Sequence, residues 1–133
     1  MSVKLHSNAK INLALAINYK RPDNFHDISS IFQEIDLHDT IEIVRNNFQR
    51  INIISKGIRV PEDESNLCYI AAKLFFLEFN FFSGIDIIIN KNIPIGGGLG
   101  GGSSNASTVI KGLAKLFNIN VEPQIFYKLA SKI

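Results

Sequence analysis

Residues 92–107 read NIPIGGGLGGGSSNAS, and six of the nine glycines in this 133-residue chain fall between Gly96 and Gly102. A run this rich in glycine either brings the backbone close to a ligand or forms a flexible tether. The flanking sequence favours the first reading. GIDIIIN (84–90) is short and β-branched and predicts a buried strand. A helix begins near Ser103 and Ser104, and its apolar face consists of Ala106, Val109, Ile110, Leu113 and Phe117.

A glycine-rich loop between a strand and a helix is typical of a phosphate site. Glycines let successive amide N–H groups turn toward one point, and the helix adds unpaired N–H groups and the positive end of its dipole. The Walker-type P-loop is excluded because Gly102 is followed by Ser103 and not by Lys. The dinucleotide pattern GxGxxG is present at Gly96, Gly98 and Gly101, with Glu122 about 20 residues later. That alternative stays open, but two features count against it. Four β-like segments precede the loop, and Glu122 lies directly before a predicted helix start.

The rest of the chain predicts an α+β fold in one domain, residues 1–133. KINLALAIN (10–18) alternates as a half-buried strand, with Ile11, Leu13, Leu15 and Ile17 on one face. ISSIFQEIDL (28–37), DTIEIV (39–44) and RINIIS (50–55) predict three further strands, with a hairpin-like reversal at Asn46 and Asn47. Ser65 is the predicted N-cap of a helix built on Leu67, Ile70, Ala71, Leu74 and Leu77. Pro123 lies in the first turn of a last helix.

Composition argues against several classes of protein. The net charge is +2, from 14 basic and 12 acidic residues, and only Lys20 and Arg21 are adjacent, which disfavours nucleic-acid binding. The single cysteine, Cys68, predicts a buried, unreactive thiol and a reducing compartment. INLALAI is interrupted by Asn12 and lacks a cleavage-like site, and no apolar run reaches the ~20 residues of a membrane span. A cytoplasmic location without membrane contact is expected.

The loop resembles that of a known superfamily. PIGGGLGGGSSNAS (94–107) is similar to the phosphate loop of the galactokinase, homoserine kinase, mevalonate kinase and phosphomevalonate kinase superfamily, and most of all to its 4-(cytidine 5′-diphospho)-2-C-methyl-D-erythritol kinases. AKINLALAI (9–17), RPDNFHDISSIFQEIDLHDTIEI (21–43) and SNLCYIAAKLF (65–75) resemble the same family in order. The resemblance implies a ribosomal protein S5 domain 2-like fold, a mixed sheet with helices packed on one face.

The resemblance also implies an activity. The family uses ATP and Mg²⁺ to phosphorylate the 2-hydroxyl of 4-(cytidine 5′-diphospho)-2-C-methyl-D-erythritol in the non-mevalonate isoprenoid pathway. By position, Lys10 matches the active-site lysine, Asn12 a substrate contact, and Phe25 and His26 the aromatic-His pair that receives the cytosine ring. Asn66 matches a position near the adenine or ribose. The residues implied to wrap the triphosphate are Pro94, Ile95, Gly96, Gly97, Gly98, Leu99, Gly100, Gly101, Gly102, Ser103 and Ser104, with Ser103 or Ser104 implied as a Mg²⁺ ligand.

The family pattern continues past the last residues seen here, into a Gly-Ala-Asp turn and a second domain. The expectation is therefore a truncated chain without the C-terminal domain or its catalytic aspartate, and with little kinase activity of its own. Apolar surface on GIDIIIN (84–90) and the last helix is expected to promote self-association. A non-catalytic remnant or an RNA-binding domain of the same fold remains the alternative.

Overall fold

The computed structural model describes all 133 residues. The elements are β1 (Ser2–Lys20), β2 (His26–Arg45), β3 (Ile51–Gly57), α1 (Leu67–Glu78), β4 (Ile85–Lys91), α2 (Gly101–Leu116) and α3 (Pro123–Ala130). The four strands form one sheet in the order β1-β2-β4-β3. Strands β1 and β2 pair antiparallel, as do β2 and β4, whereas β3 and β4 pair parallel. This mixed sheet confirms the α+β prediction.

The core lies between one face of the sheet and the helices. Alternate residues of β4 (Ile85, Ile87 and Ile89) and of β2 (Ile41 and Ile43) are almost fully buried. They form one cluster with apolar side chains of the three helices. The alternation of side chains along the strands therefore places a continuous layer of isoleucines under the helices. This agrees with the predicted mixed sheet that has helices packed on one face. None of the three helices is both long and apolar enough to cross a lipid bilayer.

Two strand predictions are wrong. Residues 28–37 and 39–44 belong to one strand, β2, because the extended backbone continues between them and the strand pairs with β1 on both sides of residues 35–37. Register shifts at three points of the pairing absorb the irregularity without ending either strand. The reversal after Asn46 does not form a hairpin, because β4 lies between β2 and β3 and pairs with both.

The half-buried face predicted for residues 10–18 is also wrong. Leu13, Leu15 and Ile17 are 61%, 55% and 67% exposed. The outer half of the β1–β2 hairpin extends beyond the part of the sheet that the helices cover, so its apolar residues have nothing to pack against. This hairpin therefore exposes apolar side chains, whereas the alternate isoleucines of β4 are buried. On the last helix Tyr127 is 71% exposed.

Candidate functional site

The glycine-rich loop joins the end of β4 to the start of α2, as the sequence predicts. Gly96, Gly98 and Gly100 have φ angles of 75°, 69° and 70°. Left-handed residues that alternate with ordinary ones form a concave nest of N–H groups that suits an anion. The amides of residues 95–100 donate no backbone hydrogen bond, and the first helical bond runs from the Ser104 amide to the Gly100 carbonyl over 2.9 Å. The loop amides and the first turn of α2 therefore offer free donors.

Lys10 lies against the end of this loop. Its amide donates to the Leu99 carbonyl over 3.0 Å, which joins the loop to β1. Its ammonium donates to Asn12 Oδ1 over 2.6 Å and lies 5.4 Å from the centroid of the Phe32 ring. A Cβ at Gly100 would come within 3.2 Å of Lys10 Cγ and Cε. The structure thus brings Lys10, Asn12 and the loop together, and glycine at position 100 permits the approach.

A cavity of about 290 Å³ opens beside the loop and reaches the start of α1. Its wall includes Val60, Pro61, Asn66, Leu67, Pro94, Ile95, Gly96, Gly97, Gly98, Leu99, Gly100 and Gly102. The structure therefore brings Asn66 and the loop to one space. An apolar wall beside an array of N–H donors is suited to a ligand with a flat apolar part and an anionic part.

Asn66, and not Ser65, is the N-cap of α1. Its Oδ1 accepts from the Cys68 amide over 2.9 Å, and its Nδ2 donates to the Pro61 carbonyl over 2.6 Å. An amide can satisfy a helix donor and a loop acceptor at once, which a serine hydroxyl one residue earlier does not do here. Asn66 therefore shapes the wall of the cavity through its backbone contacts.

The two serines after the loop differ in their surroundings. Ser103 is exposed, whereas Ser104 is half-buried against β1. The Ser7 hydroxyl lies 2.9 Å from Ser104 Oγ and 2.7 Å from Asn105 Oδ1. Because a carboxamide oxygen only accepts, the Ser7 hydroxyl donates to Asn105, and its oxygen accepts a hydrogen bond from the Ser104 hydroxyl. Neither Ser103 nor Ser104 lines the cavity.

Phe25 and His26 lie away from this assembly, where β1 turns into β2. Phe25 is 72% exposed, and His26 pairs with Lys20 in the hairpin ladder. Ten residues of β1 separate that pair from Lys10, which amounts to roughly 30 Å along the strand. The structure therefore does not place this pair beside the loop.

A buried ion pair beneath the loop was missed by the sequence analysis. The Lys91 ammonium donates to Asp39 Oδ2 and to the Ile93 carbonyl, each over 2.7 Å, and the two side chains are 4% and 0% exposed. Asp39 Oδ1 accepts from the amides of Asn92 and Ile93 over 2.7 and 2.8 Å. These four bonds fix the first residues of the loop. A Cβ at Gly101 would come within 3.0 Å of Lys91 Nζ, so the pair lies directly under the start of α2.

The surroundings of Asp39 set its charge state. Burial by itself raises the pKa of this carboxyl, but hydrogen bonds from the Ile93 amide, the Lys91 ammonium and the Asn92 amide outweigh it and hold the pKa below its ordinary value. The period-two pattern contained the signal, since Asp39 continues the buried face of Ile41 and Ile43. Lys91 likewise continues that of Ile87 and Ile89.

Cys68 is buried, as predicted, at the second residue of α1. Burial raises the pKa of its thiol to about 12. The thiolate, which is the reactive form, is then almost absent at neutral pH.

We expect Cys68 of the folded chain to resist a disulfide reagent at pH 8 over hours and to react within minutes in denaturant. Rapid labelling of the native chain, followed spectrophotometrically, would contradict this burial.

The surroundings of the loop bear on the dinucleotide alternative. In a dinucleotide fold the helix after the loop leads into a second parallel strand. Here α2 leads into α3, and Glu122, the expected ribose ligand, is the N-cap residue of α3 and accepts a hydrogen bond from Asn120. The spacing of the glycines fits the dinucleotide pattern, but the order of the elements around the loop is not that of a dinucleotide-binding fold.

Comparisons with known proteins agree on one family. A family model described as GHMP kinases N terminal domain matches residues 66–133. A 4-diphosphocytidyl-2-C-methyl-D-erythritol kinase of Clostridium perfringens is 44% identical over 131 residues, which cover 98% of this chain and 46% of that protein. The protein of the same name from a Geobacillus species is 43% identical over 133 residues, with 100% and 46% coverage.

A solved structure gives the same result in three dimensions. The crystal structure of a 4-(cytidine 5′-diphospho)-2C-methyl-D-erythritol kinase superposes with a TM-score of 0.77 at 30% identity and covers 98% of this chain and 45% of the other. The chain therefore spans slightly less than half the length of the relatives that it matches.

Proposed function

The chain belongs to the GHMP kinase family, and on that premise we propose that its glycine loop holds the triphosphate of ATP. The observation that carries the proposal is the alternation of left-handed glycines at 96, 98 and 100, whose loop amides are unpaired, immediately before α2. The apolar wall formed by Val60, Pro61 and Leu67 is suited to the adenine ring. Asn66, in the same wall, is the residue we assign to the nucleoside.

The reaction we propose is the transfer of the γ-phosphoryl group to the 2-hydroxyl of 4-(cytidine 5′-diphospho)-2-C-methyl-D-erythritol. The names of the similar proteins support this substrate. Charge spreads over the phosphoryl oxygens in such a transfer, so a fixed cation beside them lowers the barrier. Lys10 is the cation at the end of the loop, held there by Asn12 and by its own bond to Leu99. We therefore assign Lys10 the catalytic role.

Mg²⁺ is the metal that such a transfer uses. It prefers oxygen ligands and keeps most of them from phosphate and water, so one serine hydroxyl from the protein fits it. The Ser104 hydroxyl is hydrogen-bonded to that of Ser7, whereas the hydroxyl of the preceding residue, Ser103, is exposed. Either hydroxyl can supply a ligand at the start of α2. Bound Mg²⁺ would neutralise charge on the phosphate oxygens.

For the acceptor, we propose that Asn12 contacts the polyol and that Phe25 and His26 receive the cytosine ring. The ring of Phe25 offers a stacking face, although it lacks the phenolic hydroxyl that the family more often has there. The roughly 30 Å of strand between these groups and Lys10 requires a curved hairpin. Bulges bend a strand, and the pairing of β1 with β2 shifts register at three points.

We propose that residues 1–133 form one ATP-binding domain and that they bind nucleotide with little turnover by themselves. The relatives are about twice as long, and the carboxylate that orients the acceptor hydroxyl has no motif match in these residues. Calorimetric titration with Mg²⁺-ATP should give saturable binding near one site per chain. Substrate-dependent ADP release that Lys10→Ala abolishes would contradict the low turnover.

The same titration separates the alternatives. Binding of NAD⁺ in preference to ATP would favour the dinucleotide reading. Binding of RNA with a steep salt dependence, and no ATP binding, would favour an RNA-binding domain. Failure to bind any of the three ligands would favour a non-catalytic remnant. We expect only Mg²⁺-ATP to bind.

We also propose that the exposed hairpin promotes self-association. Leu15 and Ile17 on β1 and Ile28, which pairs with Ile17, on β2 form an apolar surface on one face, next to an unpaired strand edge. We expect sedimentation velocity to show an average mass that rises with concentration. The double variant Leu15→Lys, Ile17→Lys should reduce that rise. A wild-type chain that stays monomeric at high concentration would contradict the proposal.

A further inference from the structure

Ser30 ends a chain of directed hydrogen bonds that begins at Lys10. The Lys10 ammonium donates to Asn12 Oδ1 over 2.6 Å, and Asn12 Nδ2 donates to Ser30 Oγ over 2.8 Å. The Ser30 hydroxyl in turn donates to the Ala14 carbonyl over 2.8 Å. An ammonium and an amide NH₂ group only donate, and a carbonyl oxygen only accepts. The direction of each of these three hydrogen bonds is therefore fixed.

The chain of bonds is built on the sheet. Asn12 faces Phe32 across the β1–β2 pairing, and Ser30 lies two residues before Phe32 and therefore on the same face. Phe32 also lies beneath the Lys10 ammonium. The face that carries Lys10 thus also carries Asn12 and the Ser30 hydroxyl, whereas the neighbouring Ser29 points to the opposite face and bonds Asn18.

We infer that Ser30 is a positioning residue for Lys10, an inference that rests on the proposed function. Because the Ser30 proton is committed to Ala14, its oxygen accepts from Asn12 Nδ2, and this holds the Asn12 carbonyl oxygen toward Lys10. Lys10 is thereby kept at the end of the glycine loop, beside Gly100. Loss of the Ser30 hydroxyl frees the Asn12 amide and lets the ammonium leave the place of the terminal phosphate.

The predicted consequence is specific to the third phosphate. A lysine held at the end of the loop favours ATP over ADP, whereas the loop amides bind both. Ser30→Val and Ser30→Thr form a matched pair of one shape, both β-branched and suited to a strand, that differ in the hydroxyl. Ser30→Val should lower the preference for ATP over ADP by about fivefold, the worth of one hydrogen bond, and leave ADP affinity unchanged.

The experiment is calorimetric titration of the 133-residue chain with Mg²⁺-ATP and Mg²⁺-ADP, using wild type, both Ser30 variants, Ser29→Val as the control and Lys10→Met as the reference. Ser30→Thr and Ser29→Val should keep the wild-type preference, and Lys10→Met should lose it. Equal behaviour of the Val and Thr variants at position 30, or the absence of any preference in the wild type, overturns the inference while ADP binding still supports the nucleotide site. Failure of the wild type to bind either nucleotide overturns the proposed function and the inference with it.

Discussion

Asp39→Asn is expected to lower the free energy of unfolding by about 3–5 kcal/mol, the usual cost of removing one partner from a buried ion pair. The substitution leaves the Lys91 ammonium, 4% exposed, without a counter-charge beneath the loop. It also replaces one carboxylate oxygen with an NH₂ group, which only donates, so either Lys91 or the amides of Asn92 and Ile93 lose their acceptor. Chemical denaturation of both proteins at pH 7 measures the difference. Asp36→Asn, on the exposed part of the same strand, is the matched control and should change stability little.

The pH dependence of this loss has a definite sign. The folded-state pKa of Asp39 is lower than its ordinary value of 3.8, so the carboxylate contributes stability above that value. The contribution is lost as the pH falls through the folded-state pKa. The gap in unfolding free energy between wild type and Asp39→Asn should therefore be constant near neutrality and shrink only in acid. A gap of less than about 1 kcal/mol at pH 7, like that of an exposed pair, would show that the pair is not buried.

Gly100→Ala is expected to weaken Mg²⁺-ATP binding by tenfold or more. Its φ of 70° costs a residue with a side chain about 1–2 kcal/mol, and the added Cβ would meet the Lys10 side chain at 3.2 Å. Relief of that strain turns the Gly100 amide out of the nest or moves Lys10. Each 1.4 kcal/mol lost from binding corresponds to about a factor of ten in affinity.

The matched control for Gly100→Ala is Asn118→Ala. Asn118 also has a positive φ, 53°, but follows α2 at its opposite end, in an exposed position. It imposes similar backbone strain far from the loop, so it should lower stability without changing ATP affinity. Equal affinity of the Gly100→Ala variant and the wild type in calorimetry would mean that the end of the loop does not contact the nucleotide.

The sequence was sufficient for the local elements around the loop. The glycine run, the β-branched strand before it and the apolar period after it identified the β4–loop–α2 unit, and Pro123 identified the start of α3. These signals are local, because the residue types themselves restrict the backbone. Lys10 was linked to the loop only through resemblance, and the structure places it there through a bond between residues 89 positions apart, Lys10 and Leu99.

The features that were not predicted depend on contacts between residues far apart in the sequence. The insertion of β4 between β2 and β3 is decided by which strands pair, and turn residues near Asn46 do not reveal it. Leu13 and Leu15 alternate like half-buried residues, yet burial requires a second layer, which the described residues do not place there. The period of two indicates that Asp39 and Lys91 are buried, but these residues are 52 positions apart, and only the register of β2 against β4 shows that they pair with each other.

Binding of the triphosphate by the loop amides is tested most directly by the amide ¹H–¹⁵N spectrum of the chain during titration with Mg²⁺-ATP. We expect the largest shifts at residues 96–103, smaller shifts at Lys10 and Asn66, and unchanged amides in α3. Largest shifts at the hairpin turn or on α3, or no shifts at saturating nucleotide, would contradict binding by the loop.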